Sequence, residues 1–85
     1  MRVLIPTPLR SYTNQAWVEA NGDTVGAVLD ALEHRYPGIR FRMIVEQDRM
    51  RPHMRFFVNG VATFDLARPL RPADELQIVQ ALSGG

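Results

Sequence analysis

One amphipathic helix, in a chain whose other segments have strand-like patterns, constrains the fold more than any other feature. Five apolar residues recur at the three-and-four spacing of a single helical face: Val25, Val28, Leu29, Leu32 and Tyr36. Asp23-Thr24 offers an N-cap before them, and Pro37-Gly38 ends the pattern. The spacing therefore predicts a helix over about residues 24–36, with Glu33 and the other charged residues on a solvated face.

Apolar, β-branched or alternating segments flank this helix on both sides and predict strands. They cover residues 2–6, 16–20, 54–58, 61–64 and 75–80. Polar residues 11–14 predict a turn between the first two strands, and Asn59-Gly60 predicts a hairpin between the third and fourth. Residues 39–50 fit either a short helical turn or a packed loop.

This order of elements predicts an α+β fold. A single amphipathic helix covers one face of one sheet, and the simplest arrangement places the first and last strands parallel at the centre. We therefore expect a β-grasp, or ubiquitin-like, roll with a mixed sheet of four to five strands. At 85 residues the chain is long enough for one domain, over residues 1–80, followed by a flexible tail over 81–85.

Composition excludes several classes of function. Ten Arg residues against nine carboxylates give a net charge of +1, which leaves no basic excess for nucleic acid or an anionic membrane. The chain has no Cys, and its two His residues, His34 and His53, are far apart, so we expect no disulfide and no metal site. It has neither a long apolar run nor a signal peptide, which predicts a cytoplasmic protein.

Lysine is absent as well, since all ten basic residues are Arg. GC-rich coding explains this without any function. Alternatively, a chain without Lys offers no side-chain amine to an activated acyl group that it carries.

Strand alternation predicts an exposed apolar patch. If the core takes Met54, Phe56, Val58, Leu76 and Ile78, then Arg55, Phe57 and Val79 face outwards. Together with Leu82 they would form a partner-binding patch at the root of the tail. A register slipped by one residue would instead bury Phe57.

The last two residues, Gly84-Gly85, make the slimmest possible peptide, because neither has a Cβ. An extended tail from residue 81 would project roughly 16 Å beyond the sheet at about 3.3 Å per residue. It could thread a narrow channel in another protein. A frayed terminus is the alternative interpretation.

Four segments of the chain combine into a more specific pattern. They are Ile5-Pro6-Thr7-Pro8-Leu9-Arg10, Thr24-Val25 with Tyr36-Pro37-Gly38, Phe57-Val58-Asn59-Gly60, and Asp74-Glu75-Leu76-Gln77-Ile78-Val79 before Ser83-Gly84-Gly85. With these segments the chain resembles the MoaD/ThiS family of ubiquitin-like sulfur carriers over nearly its whole length. It departs from the family at Ala73, where a glycine is common, at Gln80, where a proline is common, and in the short segment 61–72.

The resemblance implies a protein co-substrate rather than an enzyme. An E1-like adenylating enzyme would use MgATP to adenylate the Gly85 carboxylate, and a sulfurtransferase or persulfide donor would convert it to a thiocarboxylate. A sulfur-accepting enzyme of molybdopterin, thiazole, cysteine or tRNA biosynthesis would then take the sulfur. The chain itself would bind no cofactor and be a monomer when free. The predicted partner-binding residues are Gly84, Ser83, Leu82, Val79, Phe57, Arg55 and Arg10.

Two alternatives remain open at this point. A ubiquitin-like modifier would be linked through Gly85 to lysines of target proteins, and a β-grasp binding domain would never activate its terminus. Asp74-Glu75 is not expected to be a catalytic pair, because adjacent strand residues point to opposite faces.

Overall fold

The computed structural model describes residues 1–45 and 49–81 of the chain. These residues contain five strands: β1 (Arg2–Leu4), β2 (Trp17–Glu19), β3 (Met54–Val58), β4 (Val61–Thr63) and β5 (Glu75–Gln80). They also contain three α-helices: α1 (Arg10–Thr13), α2 (Val25–Arg35) and α3 (Ile39–Met43). A 3-10 turn at Thr7–Leu9 leads into α1.

The strands form one mixed sheet in the order β2-β1-β5-β3-β4. β1 and β5 pair in parallel at the centre, with Val3 opposite Leu76. β3 lies antiparallel to β5 on its other side, with Phe56 opposite Ile78. This confirms the predicted β-grasp roll, with five strands and one main helix.

The core lies between α2 and one face of the sheet. α2 contributes its apolar stripe to this core, and its fully buried members are Val25, Val28, Leu29 and Leu32. From the sheet, the buried side chains include Met54, Phe56, Val58, Leu76 and Ile78. The register predicted from the alternation is therefore confirmed, and the slipped register is wrong.

The N-terminus of α2 is capped by its own sequence and by a distant loop. Thr24 Oγ1 accepts a hydrogen bond of 3.1 Å from the Ala27 amide, as the sequence predicted for an N-cap. The amides of Val25 and Gly26 donate instead to the carbonyls of Arg68 and Leu66, at 3.1 and 2.8 Å. The short segment after β4 thus satisfies helix amides that would otherwise have no partner.

Glu33 lies on the solvated side of α2 as predicted, and its carboxylate also binds two backbone amides. Its Oε2 accepts a hydrogen bond of 2.8 Å from the Gly38 amide, and its Oε1 accepts one of 2.9 Å from the Arg40 amide. These two bonds, first that from Gly38, hold the pKa of Glu33 below its ordinary value of 4.5. Glu33 therefore joins the end of α2 to the start of α3, where Gly38 has a positive φ of 98°.

The connection between β1 and β2 is more structured than the predicted turn. Pro8 stands within the first positions of the 3-10 turn, where its missing amide costs nothing, and α1 follows directly. Asn14 ends α1 in the left-handed conformation, with a φ of 57°. β1 ends at Leu4 rather than at residue 6, although the Ile5 amide still donates to the Ala16 carbonyl at 2.8 Å.

The predicted hairpin at Asn59-Gly60 is confirmed. Both residues have a positive φ, of 51° and 84°, as a two-residue hairpin turn requires. The Asn59 side chain also donates to Asp74 Oδ1 and accepts from the Glu75 amide, both at 2.9 Å. The Arg71 amide and then the Asn59 side chain hold the pKa of Asp74 below its ordinary value of 3.8.

Candidate partner interface at the root of the tail

The central strand β5 carries the chain out of the sheet towards its last residues. Gln80 lies opposite Met54, and the Ala81 amide donates a hydrogen bond of 2.7 Å to the His53 carbonyl. This bond fixes the root of the tail. Four predicted site residues lie outside the described residues: Leu82, Ser83, Gly84 and Gly85.

A groove of about 390 Å³, here called the root groove, borders the end of β5. Its lining comes from the start of the chain and from the last residues of β5: Leu4, Ile5, Pro6, Thr7, Pro8, Arg10, Ile78, Val79 and Gln80. Arg10 Nε donates a hydrogen bond of 2.9 Å to the Ile5 carbonyl, which positions this half-buried side chain at the groove. The fold thus brings together Arg10 and Val79, two of the predicted partner-binding residues.

Arg55, Phe57 and Val79 share the face of the sheet that α2 does not cover. Arg55 lies opposite Val79, and Phe57 lies opposite Gln77, so Phe57 and Val79 are diagonal neighbours. The expectation that Phe57 and Val79 are exposed is only partly met, because both are half-buried. Arg55 Nη1 donates to the carbonyls of Pro52 and Met54, at 2.8 and 2.9 Å, which holds its guanidinium beside the strand.

The structure extends this apolar patch across the sheet to two residues that the sequence analysis missed. Trp17 lies opposite Leu4, Leu4 lies opposite Gln77, and Gln77 lies opposite Phe57. Trp17, Leu4 and Phe57 are therefore half-buried members of one row on the open face. Alternation could have found them, because Val3 and Val18 point into the core and their neighbours must point outwards.

The Arg2 guanidinium covers one end of this row. It lies 4.2 Å from the centroid of the Trp17 ring, and its Nη1 lies 3.6 Å from Glu75 Oε2. An Arg that stacks on an indole ring keeps part of the apolar surface out of water. Arg2 does not cover the other end of the row, near Phe57 and Val79.

The described residues offer surfaces for binding rather than an obvious set of catalytic groups. Within residues 1–45 and 49–81, no three His, Asp or Glu side chains come close enough to hold a metal ion. Asp74 and Glu75 stand at the start of β5, whereas the tail leaves from its other end, beyond Gln80. No helix in the same residues is long and apolar enough to cross a membrane.

Comparison with known proteins agrees with this geometry. A family model described as the ThiS family matches residues 3–85. The sulfur carrier protein CysO of Mycobacterium tuberculosis is 36% identical over 91 residues, which cover 98% of this chain and 96% of the relative.

Two solved structures are similar over nearly their full length. The crystal structure of the Amycolatopsis orientalis BexX/CysO complex contains a chain with 33% identity and a TM-score of 0.88, covering 99% of this chain and 98% of that chain. The crystal structure of the small archaeal modifier protein 1 of Haloferax volcanii has 26% identity and a TM-score of 0.78, with coverages of 96% of this chain and 97% of that chain.

Proposed function

Because the chain belongs to the ThiS family, we propose that it is a sulfur carrier whose Gly85 carboxylate is converted to a thiocarboxylate. The observation that carries this proposal is the extent of the family match. It runs from residue 3 to residue 85 and therefore includes Gly84 and Gly85. A relative that is named a sulfur carrier protein, with 36% identity over 98% of the chain, supports it further.

The proposed reaction begins with activation by a partner. A carboxylate is a poor electrophile, so an E1-like adenylating enzyme binds MgATP and transfers AMP to the Gly85 carboxylate, releasing pyrophosphate. The terminal sulfur of a persulfide donor then attacks the acyl carbon, and AMP leaves. A thiol cleaves the resulting acyl disulfide, which gives the thiocarboxylate on Gly85 and a disulfide on the donor.

The role of this chain is to present its terminus as a co-substrate. The hydrogen bond from Ala81 to His53 fixes where the tail begins, and the root groove with Arg10 and Val79 lies beside that point. Phe57 and Arg55 add contacts on the open face. We propose that the adenylating enzyme docks there while the tail enters its active site, and that the free carrier is a cytoplasmic monomer.

The sulfur then passes to a biosynthetic enzyme. Acceptors of four classes fit a thiocarboxylate donor: a molybdopterin precursor, a thiazole precursor, activated serine on the way to cysteine, or a tRNA uridine. In each case the thiocarboxylate sulfur attacks the activated acceptor carbon and displaces its leaving group, and water then hydrolyses the acyl–sulfur bond, which leaves the sulfur on the acceptor and regenerates the Gly85 carboxylate.

A ubiquitin-like modifier is the second candidate. The similarity to a small archaeal modifier protein favours it, with a TM-score of 0.78. The two functions share the adenylation step and differ only afterwards. In a modifier, the amine of a target lysine attacks the activated acyl carbon of Gly85 and forms an isopeptide bond.

Mass spectrometry after thiol alkylation tests the sulfur carrier. The protein is isolated from its native cytoplasm, treated with iodoacetamide and fragmented. Since the chain has no Cys, an adduct on Gly85 identifies a thiocarboxylate. If no adduct forms and Gly85 is found joined to lysines of other proteins, the modifier function is correct instead.

A variant with one alanine appended after Gly85 is the control for the alkylation. The terminal residue of this variant has a Cβ, and its carboxylate stands one residue further from the fold. We therefore expect the variant to escape adenylation and to give no adduct. If this variant still restores growth to a strain that lacks the carrier, the terminus is not activated and the chain acts as a binding domain.

A further inference from the structure

A second groove, here called the basic groove, lies next to the root groove and has a different chemistry. Its volume is about 490 Å³, and its lining consists of Pro8, Leu9, Phe41, Arg42, Arg51 and Gln80. It shares Pro8 and Gln80 with the root groove, so both grooves border the residue that precedes the root of the tail. The root groove is mainly apolar, whereas this one combines two Arg side chains with an aromatic ring.

Phe41 is the apolar centre of the basic groove. It lies on α3, whose Ile39 and Met43 are fully buried, yet 59% of Phe41 is exposed. The ring therefore presents apolar surface to the groove that it lines.

The two Arg side chains are held in place before any partner arrives. The Arg51 guanidinium lies 4.6 Å from the centroid of the Phe41 ring, and its Nε donates a hydrogen bond of 2.6 Å to the Phe41 carbonyl. Arg42 Nε donates to the Tyr12 hydroxyl at 3.3 Å. Side chains that are already ordered lose less entropy when they bind a carboxylate.

The charge of the groove is uncompensated among the residues that line it. Two guanidinium groups stand there, and no Asp or Glu within the described residues contributes to the lining. By contrast, the nearby Arg40 on the same helix is paired with Asp30 at 2.8 Å. A partner that supplies carboxylates would complete the groove.

We propose that the basic groove binds an acidic segment of a partner protein, with carboxylates on Arg42 and Arg51 and an apolar side chain on Phe41. The position beside Gln80 connects this surface to the tail. The binding of an acidic segment at this groove is independent of the proposed sulfur carriage. Only the identity of the partner, as an enzyme that acts on the tail, rests on the proposed function. A polynucleotide fits less well, because the chain has a net charge of only +1 and the groove holds a single aromatic ring.

The first experiment needs no partner enzyme. The ¹⁵N-labelled protein is titrated with a synthetic peptide of alternating Glu and Leu, with the same peptide containing Gln for Glu, and with a short single-stranded RNA. We expect amide shifts around Phe41, Arg42 and Arg51 with the acidic peptide, and we expect added salt to weaken them. Shifts of equal size with the Gln peptide, shifts only elsewhere, or tighter binding of the RNA would overturn the proposal.

Charge reversal provides the matched comparison. The double variant R42E/R51E is expected to lose the peptide-induced shifts, whereas R68E/R71E, with the same change in charge near the start of β5, is expected to retain them. R42Q/R51Q removes both charges without adding negative ones and should also lose most of the peptide-induced shifts. Trp17 fluorescence during thermal unfolding shows whether each variant is folded, and R42Q/R51Q decides the question if charge reversal prevents folding.

The second experiment uses the adenylating enzyme and the sulfur-accepting enzyme from the same organism. If R42E/R51E raises the Kd for either enzyme about tenfold and R68E/R71E does not, the groove is a partner site. If both enzymes bind the variant as tightly as the wild type, the groove is not a partner site, and the proposed sulfur carriage stands. If Gly85 gives no thiocarboxylate while the peptide still binds at Arg42 and Arg51, the proposed function is wrong and the basic groove is still a binding site for acidic segments.

Discussion

At the scale of single residues, Asn59 does more than its hairpin position requires. Its positive φ suits the two-residue turn, and its side chain bonds to both Asp74 and Glu75. It therefore ties the β3–β4 hairpin to the turn that precedes β5. One residue fixes both a local turn and the register of the central strand.

Replacing this side chain should destabilise the protein. We expect Asn59→Ala to lower the free energy of unfolding by about 1–2 kcal/mol, because alanine tolerates a positive φ poorly and both side-chain hydrogen bonds are lost. Asn59→Gly is the control, since it loses the same bonds but accepts the turn. Urea unfolding should rank the wild type above Asn59→Gly and Asn59→Gly above Asn59→Ala, and equal losses in both variants would mean that the backbone conformation contributes nothing.

Glu33 gives a second prediction at this scale, for acid stability. The amides of Gly38 and Arg40 lower its pKa in the folded protein. A lowered folded pKa means that the stabilisation is fully present above the ordinary value of 4.5 and is lost as pH falls through the folded value. We therefore expect Glu33→Gln to flatten the loss of stability as the pH falls through and below 4.5.

Equilibrium unfolding of both proteins across this pH range provides the measurement. Some slope should remain in Glu33→Gln, because the pKa of Asp74 is lowered too. Parallel curves for the wild type and the variant would show that Glu33 makes no pH-dependent contribution.

At the scale of elements, α2 shows which features a sequence can predict. Its predicted span of about 24–36 agrees with Val25–Arg35 and its caps, because periodicity, an N-cap and Pro37-Gly38 are all local signals. The parallel pairing of β1 with β5 also followed from the order of elements. α1 was predicted as a turn, since its four residues are too few to show a helical period.

The elements and contacts that the sequence did not predict depend on tertiary structure. The carbonyls of Leu66 and Arg68 cap α2 from a distant loop, and no local pattern encodes that contact. The same holds for Phe41, because whether a residue of a short helix is covered depends on what packs against it. Of the predicted interface, alternation located Phe57 and Val79 but was not applied to Trp17 and Leu4.

The N-cap of α2 can be tested directly. We expect Thr24→Ala to reduce the free energy of unfolding by about 1 kcal/mol, because the Ala27 amide loses its hydrogen bond to Oγ1. Thr24→Ser keeps the oxygen and should be close to the wild type. Thermal and urea unfolding provide the comparison, and an Ala variant as stable as the Ser variant would show that the bond from the Ala27 amide to Thr24 Oγ1 contributes nothing to stability.

At the scale of the whole molecule, the two faces of the sheet differ in what covers them. α2 covers one face and forms the core, while the other presents a half-buried apolar row from Trp17 to Phe57. The described chain leaves the sheet at the end of the central strand β5, and under the proposed function we expect a partner that takes the terminus to contact this open face. If the proposed function is correct, docking of the partner on this face is coupled to delivery of the terminus.

Two phenylalanines allow this coupling to be tested with a matched control. Phe57 lies in the open-face row, whereas Phe64 follows the edge strand β4 and is not a member of that row, with 71% of its surface exposed. We expect Phe57→Ala to raise the KM for the carrier in ATP–pyrophosphate exchange by the adenylating enzyme about tenfold, with little change in kcat. Phe64→Ala should leave both constants near the wild-type values.

A raised KM with an unchanged kcat distinguishes the loss of a docking contact from partial unfolding of the variant. Loss of a docking contact lowers the affinity of a carrier that is still activated normally once it is bound. A partly unfolded variant would instead show a lowered melting temperature, read from the fluorescence of Trp17. If Phe57→Ala is folded and has an unchanged KM, the adenylating enzyme does not recognise the open-face row.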